Sequence, residues 1–140
     1  MIAKMALCAS LMLLGFGPQA EQVSTEKKPD LIPIEQHVFD YTNAERARYG
    51  RQPLQVDLQL MKSARGHAAW MTNHRRLVHT SRPVAENIAM GQPDSRSVVA
   101  AWMSSSGHRA NILNSGYRRI GVAAYRTPGG TIYWCQQFLR

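Results

Sequence analysis

Apolar residues recur along this chain with two different periods, and the changes between them mark its elements. From Ile34, the residues Val38, Phe39 and Tyr41 fall at helical spacing, and the pattern runs to Tyr49-Gly50, where glycine stops a helix. Gln52-Pro53-Leu54 is a short connector, and Asp57 suits the N-cap of a second helix. Leu60, Ala64, His67, Ala68 and Met71 then lie at i, i+4, i+7, i+8 and i+11, one continuous stripe. That period ends at Arg75, and Pro83 keeps Arg82 out of helical conformation, so residues 75–83 are a loop. A third helix starts near Asp94 or Ser95 and turns Val98, Ala101 and Trp102 inward. After a polar turn comes one short helix starting near His108. The chain closes as a hairpin: residues 120–126, a turn at Thr127-Pro128-Gly129-Gly130, and residues 131–138. The last strand is apolar on both faces, with Tyr133 and Cys135 on one and Ile132, Trp134 and Phe138 on the other, which predicts a sheet covered on both sides. Spacing alone therefore gives a mixed α+β domain with an antiparallel sheet.

The first twenty residues follow a different plan. Lys4 precedes an almost wholly apolar run over residues 5–16, and Gly15, Gly17 and Ala20 supply small residues before a polar stretch. This is the layout of a secretory signal peptide, and the run is short of the roughly 20 residues that span a bilayer. An uncleaved anchor is the alternative. Residues 21–33 read as a polar linker, and residues 34–140 as one domain with room for a real core. Cleavage would leave Cys135 as the only cysteine, so the exported domain would rely on its core without an internal disulfide. The strand context of Cys135 predicts a buried, inert thiol. Lys and Arg number 17 against 9 Asp and Glu, a net charge of +8 that favours anionic surfaces: nucleic acid, lipid head groups or acidic envelope polymers. Export, with no nucleic-acid motif beside the arginines, removes the first of these. The expected partner is an anionic envelope component, lipid or glycan, and the expected state a monomer.

Candidate chemistry lies with the histidines. His108 sits beside a helix start, where an imidazole can bind metal or titrate near neutrality. His79 lies on the loop between two anchored elements, a common position for functional groups. His67 shares an apolar helical stripe and reads as a packed residue; His74, beside Arg75 and Arg76, and His37 read as solvated. Glu86, between the two loop histidines in sequence, could orient an imidazole, accept its proton or bind the same ion.

The order His79, then Glu86-Asn87-Ile88-Ala89, Trp102, Ser106-Gly107-His108-Arg109-Ala110-Asn111-Ile112-Leu113, Ile120-Gly121-Val122, and Tyr133-Trp134-x-Gln136-x-Phe138 resembles the CAP superfamily of cysteine-rich secretory, antigen 5 and pathogenesis-related proteins. It is similar in particular to the short bacterial SCP-like extracellular members. Asn43-x-x-Arg46 resembles the family's first-helix motif, read here as tying that helix to a neighbouring loop. The resemblance implies an α-β-α sandwich with a small antiparallel sheet between helices. It implies structural roles for Asn43, Arg46, Asn87, Trp102, Asn111, Gly121, Trp134 and Gln136, and a cleft built from His79, Glu86 and His108. Many relatives carry a second cleft glutamate three residues after the helix tryptophan; here that position is Ser105.

Two functions compete on these residues. One is a secreted, non-catalytic binding module whose cleft holds a zinc-like divalent cation weakly, through His79 and His108 with Glu86 as third ligand or orienter, beside a lipid, glycan or envelope polymer. The other is a metal-dependent hydrolase in which the histidines are ligands and Glu86 the general base. Catalytic zinc usually has three protein ligands, so using Glu86 as a ligand would remove the only carboxylate available as base. A serine nucleophile from Ser104, Ser105 or Ser106 beside His108 is conceivable, but three consecutive serines at a helix junction are more simply caps and turn formers.

Overall fold

The computed structural model describes residues 30–140; the signal-peptide reading and most of the linker fall on residues outside it. Helix α1 (Pro33–Arg48) opens with proline in its first turn, where the missing N–H costs nothing. Leu31 already packs against the core, so the folded domain begins inside the stretch whose composition reads as linker. Strand β1 (Gln55–Val56) leads into α2 (Leu58–His74), which Asp57 caps by accepting from the Leu60 N–H at 2.9 Å. The loop then delivers β2 (Ala85–Met90). Helix α3 (Ser95–Met103) starts from an Asp94 cap on the Ser97 N–H, and α4 (Ser106–Ile112) follows after a short turn. Strands β3 (Arg119–Arg126) and β4 (Ile132–Leu139) form the terminal hairpin.

The four strands lie in the order β1-β3-β4-β2, with α2 on one face and α1, α3 and α4 on the other. Alternation along β4 sorts the core as its sequence predicts. Ile132, Trp134 and Phe138 join Val38, Val98, Trp102 and Ile112 on one side; Tyr133 and Cys135 join Ala64, Ala68 and Met71 of α2 on the other.

Two details depart from the sequence reading. The sheet is mixed, because β1 pairs parallel to β3 through Gln55↔Arg119 and Val56↔Ile120. Ala101 is exposed and Val99 is buried in its place, so the inward stripe of α3 is Val98, Val99 and Trp102. The short helix does begin near His108: α4 is capped at Ser105 and His108 lies in its first turn.

Gly121 shows how closely the layers approach. A Cβ there would collide with the backbone carbonyl of Leu60 and come within 2.6 Å of the Met61 N, so β3 touches the first turn of α2 without a side chain between them. Next to it the Val122 N–H points at Met61 Sδ, 3.2 Å away.

Candidate functional site

Consecutive residues of the edge strand β2 point to opposite faces of the sheet, and each bonds one of the two candidate histidines, Glu86 the ring of His79 and Asn87 the backbone of His108. Glu86, 7% exposed, faces the α2 side. Its Oε1 accepts from His79 Nδ1 at 2.8 Å and from the Thr80 N–H at 2.9 Å. Its Oε2 accepts from Gln137 Nε2 at 2.8 Å, with the Cys135 thiol 3.6 Å away. Register puts Gln137 directly across from Glu86 on β4. A carboxylate only accepts, so this contact favours a proton on His79 Nδ1; in the neutral imidazole Nε2 then keeps its lone pair, on a side chain 62% exposed.

Asn87 does the corresponding work on the other face. Its Nδ2 donates to the backbone carbonyl of His108 at 3.1 Å and to Gln136 Oε1 at 3.1 Å, while its Oδ1 accepts from Asn111 Nδ2 at 2.9 Å. Asn111 also donates to the Glu86 carbonyl, and Gln136 Nε2 donates to Thr42 Oγ1 at 2.7 Å. One chain of hydrogen bonds thus runs from α1 through β4 and β2 to α4, holding the helix that carries His108. Burial, and then the nearby His79 charge, lower the His108 pKa below its ordinary value.

The structure thus puts His79 and Glu86 in direct contact on β2, and holds His108 to the neighbouring Asn87 through its backbone carbonyl. Both carboxylate oxygens are engaged by donors, and among the described residues no group of three or more His, Cys, Asp or Glu side chains is arranged around a metal position. The remaining motif residues make contacts within the domain. Asn43 pairs with both backbone groups of Leu54, at 3.0 and 2.8 Å. Arg46, fully buried, donates to the carbonyls of Gln52, Ile112, Asn114 and Tyr117. Trp102 Nε1 donates to Ile88 O, and Trp134 Nε1 to Gln92 O.

Ser104 bonds back to the Ala100 carbonyl and Ser105 is the N-cap of α4; among the described residues no hydrogen bond links any of the three serines to His108. Cys135 is 1% exposed, and burial with the adjacent Glu86 charge pushes its thiol well above the ordinary value, an inert state. His67 does pack at the edge: its Nε2 lies 2.7 Å from the Val78 carbonyl, tying α2 to the loop of His79, and 3.9 Å from Glu86 Oε2.

Two contributors escaped the sequence reading, Thr42 and Gln137. Their signal was present, since each is a polar residue on a stripe otherwise buried: Thr42 one turn after Val38, and Gln137 inside the apolar strand β4.

The fold is a three-layer α-β-α domain with His79 bonded to Glu86 on the edge strand of its sheet, and the match to known proteins names the family. The sequence pattern of CAP, the cysteine-rich secretory protein family, matches residues 39–138, and the chain belongs to that family. It is 39% identical over 133 residues to the uncharacterised protein YkwD of Bacillus subtilis, covering 83% of this chain and 51% of that one. Against a pathogenesis-related protein 1 of Arabidopsis thaliana it is 30% identical over 110 residues, covering 66% of this chain and 68% of the other. Among solved structures, an extracellular SCP-domain protein of Bacillus anthracis superposes with a TM-score of 0.69 at 27% identity, over 80% of this chain and 45% of that one. The chain thus spans about half the length of these bacterial relatives.

Proposed function

We propose that this CAP domain is an exported, non-catalytic binding module whose cleft holds a divalent cation through His79 and His108, next to an anionic lipid, glycan or envelope polymer. The observation that carries this reading is the state of Glu86: both its oxygens are bound by donors, so no carboxylate of the set is free to act as a general base. A carboxylate behind Nδ1 of a histidine whose Nε2 is free is the usual support of a metal-bound imidazole, and the pair His79–Glu86 fits it. With His108 as second ligand and Ser105 where relatives carry a carboxylate, the remaining positions fall to water or ligand, which supports modest affinity and a zinc-like ion. The cation would supply a positive anchor for an anionic ligand.

Calorimetry with zinc on the wild type, His79→Ala and His108→Ala, each checked by circular dichroism, tests the site. At least tenfold weaker binding in both variants is expected; wild-type binding in both would move the site elsewhere. Acidification has a defined sign. Protons compete for the imidazoles, and the lowered His108 pKa keeps that ligand neutral to below the roughly 6.5 of free imidazole. Below about pH 6.5 the unfolded chain binds more protons at this position than the native one. His108's contribution to stability is therefore present above that pH and lost as pH falls through the lowered native value.

Export rests on the apolar leader pattern of residues 5–16 and agrees with the extracellular description of the Bacillus anthracis protein. No helix among the described residues is long and apolar enough to cross a membrane. Mass spectrometry of the culture fluid or envelope should find an N-terminus near Glu21; full-length chain in the cytosol would defeat this part of the reading.

A further inference from the structure

The outward half of α2 carries a second feature that the cleft does not explain. A groove of about 460 Å³ runs along it, walled on one side by Gln59, Lys62, Ser63, Gly66, His67 and Trp70. These positions are i, i+3, i+4, i+7, i+8 and i+11, so one stripe of the helix forms the wall over about 16 Å. Thr80 and Arg82, from the loop that carries His79, form the opposite wall. His79, His108 and Glu86 do not line this groove, although Glu86 is bound to the Thr80 N–H and lies 3.9 Å from His67.

Gly66 indicates that the space is functional. A glycine in the exposed middle of a helix costs about 1 kcal/mol relative to alanine. Neither backbone conformation nor packing requires it here, because its φ is not positive and an added Cβ would meet nothing within 4 Å. What glycine does provide is an open place in that wall halfway along the groove. Beside it, the buried Ser63 Oγ has no hydrogen-bond partner among the described residues.

The lining specifies a ligand class. It holds two permanent cations, Lys62 and Arg82, no carboxylate, and the hydrogen-bonding groups of Gln59, Ser63 and Thr80. Trp70 closes one end, its indole held between His67 at 6.1 Å and His74 at 4.3 Å, both rings near parallel to it. One aromatic edge in an otherwise polar, cationic trough suits an elongated, hydroxylated, anionic chain and offers little to an acyl tail. We propose that the α2 groove is a binding site for an acidic saccharide, separate from the His79–His108 cleft and independent of its metal.

The full chain can be titrated with hexagalacturonate, neutral maltohexaose and a six-residue oligothymidylate while amide and indole resonances are followed by NMR. Hexagalacturonate should bind at least tenfold more tightly than either other probe and shift residues 59–70 and 80–82. Gly66→Gln, whose side chain would occupy that open place, and Lys62→Gln/Arg82→Gln should each weaken it at least tenfold. Because Gly66 sits in open space, Gly66→Gln should melt no lower than the wild type. Equal binding by Gly66→Gln, equal affinity for maltohexaose, tighter binding of oligothymidylate, or shifts centred on His108 and Asn111 would each overturn the proposal. The last would place the saccharide in the cleft instead.

Discussion

Arg46→Met should lower the melting temperature by more than about 10 °C, through a loss of about 3 kcal/mol or more. Arg46 is fully buried, and no carboxylate among the described residues pairs with it. Burial first, and then the neighbouring Arg118 and Arg51 charges, lower its pKa, so the site is built around a charge held by dipoles alone. Its guanidinium links the end of α1 to Gln52 O at 2.8 Å, Ile112 O at 2.7 Å, Asn114 O at 2.9 Å and Tyr117 O at 3.3 Å. Methionine fills much of the volume but leaves these carbonyls without a donor, and each one shut off from water costs about 1–3 kcal/mol. Lysine retains the charge and fails differently, since a single ammonium cannot reproduce a planar fork spread over four acceptors. Arg48→Met is the control: its pair with Glu45 is exposed, and the expected change is within about 0.5 kcal/mol. Thermal denaturation of the three variants decides the matter, and an Arg46→Met melting point within 3 °C or so of wild type would mean that water replaces the guanidinium. Because Ile112 ends α4 and Asn114 follows its C-cap, the same variant should also loosen the helix that carries His108.

The sequence made the helices and the hairpin legible because each has a single buried face and a local stop or start. Asp57 and Asp94 cap where expected, and the two faces of β4 sort as its alternation predicts. Strand β1 was not legible, since two residues after a proline carry no period and gain their identity only from pairing with Gln55↔Arg119. Strand β2 hid for another reason: Glu86 and Asn87 are polar and buried on opposite faces, so neither alternation nor an apolar run marks it. The order of family motifs pointed to His79, Glu86 and His108, and left three roles open for Glu86, because what bonds it was not visible in the sequence. Its partner Gln137 is 51 positions away and meets it only through strand register. The groove on α2 is half visible as the polar side of an amphipathic helix, whereas its second wall exists only after residues 80–82 fold back.

Glu86→Gln should weaken zinc binding by about 10- to 100-fold while leaving the chain folded, with a stability loss of about 1–3 kcal/mol. The substitution preserves size and removes the symmetry that the site depends on. Donors meet both oxygens of Glu86: His79 Nδ1 and the Thr80 N–H on Oε1, Gln137 Nε2 on Oε2. An amide presents one oxygen and one NH2, so one of the two ends must face a donor with a donor. If the amide nitrogen turns toward Gln137, the Gln137 side chain can flip and offer its own Oε1, which has no hydrogen-bond partner among the described residues. His79 then keeps an acceptor, though a neutral one that holds the Nδ1–H tautomer less firmly. If the nitrogen turns toward His79, the imidazole must accept at Nδ1 and carry its proton on Nε2, where it cannot bind an ion. Nitrogen-15 NMR of the imidazoles separates these outcomes without any metal: the wild type should show His79 protonated at Nδ1, and the variant a mixture or a reversal. Calorimetry gives the consequence for zinc. An unchanged His79 tautomer together with wild-type zinc affinity in Glu86→Gln would remove Glu86 from the role of orienter and leave its four donors as a purely structural cluster.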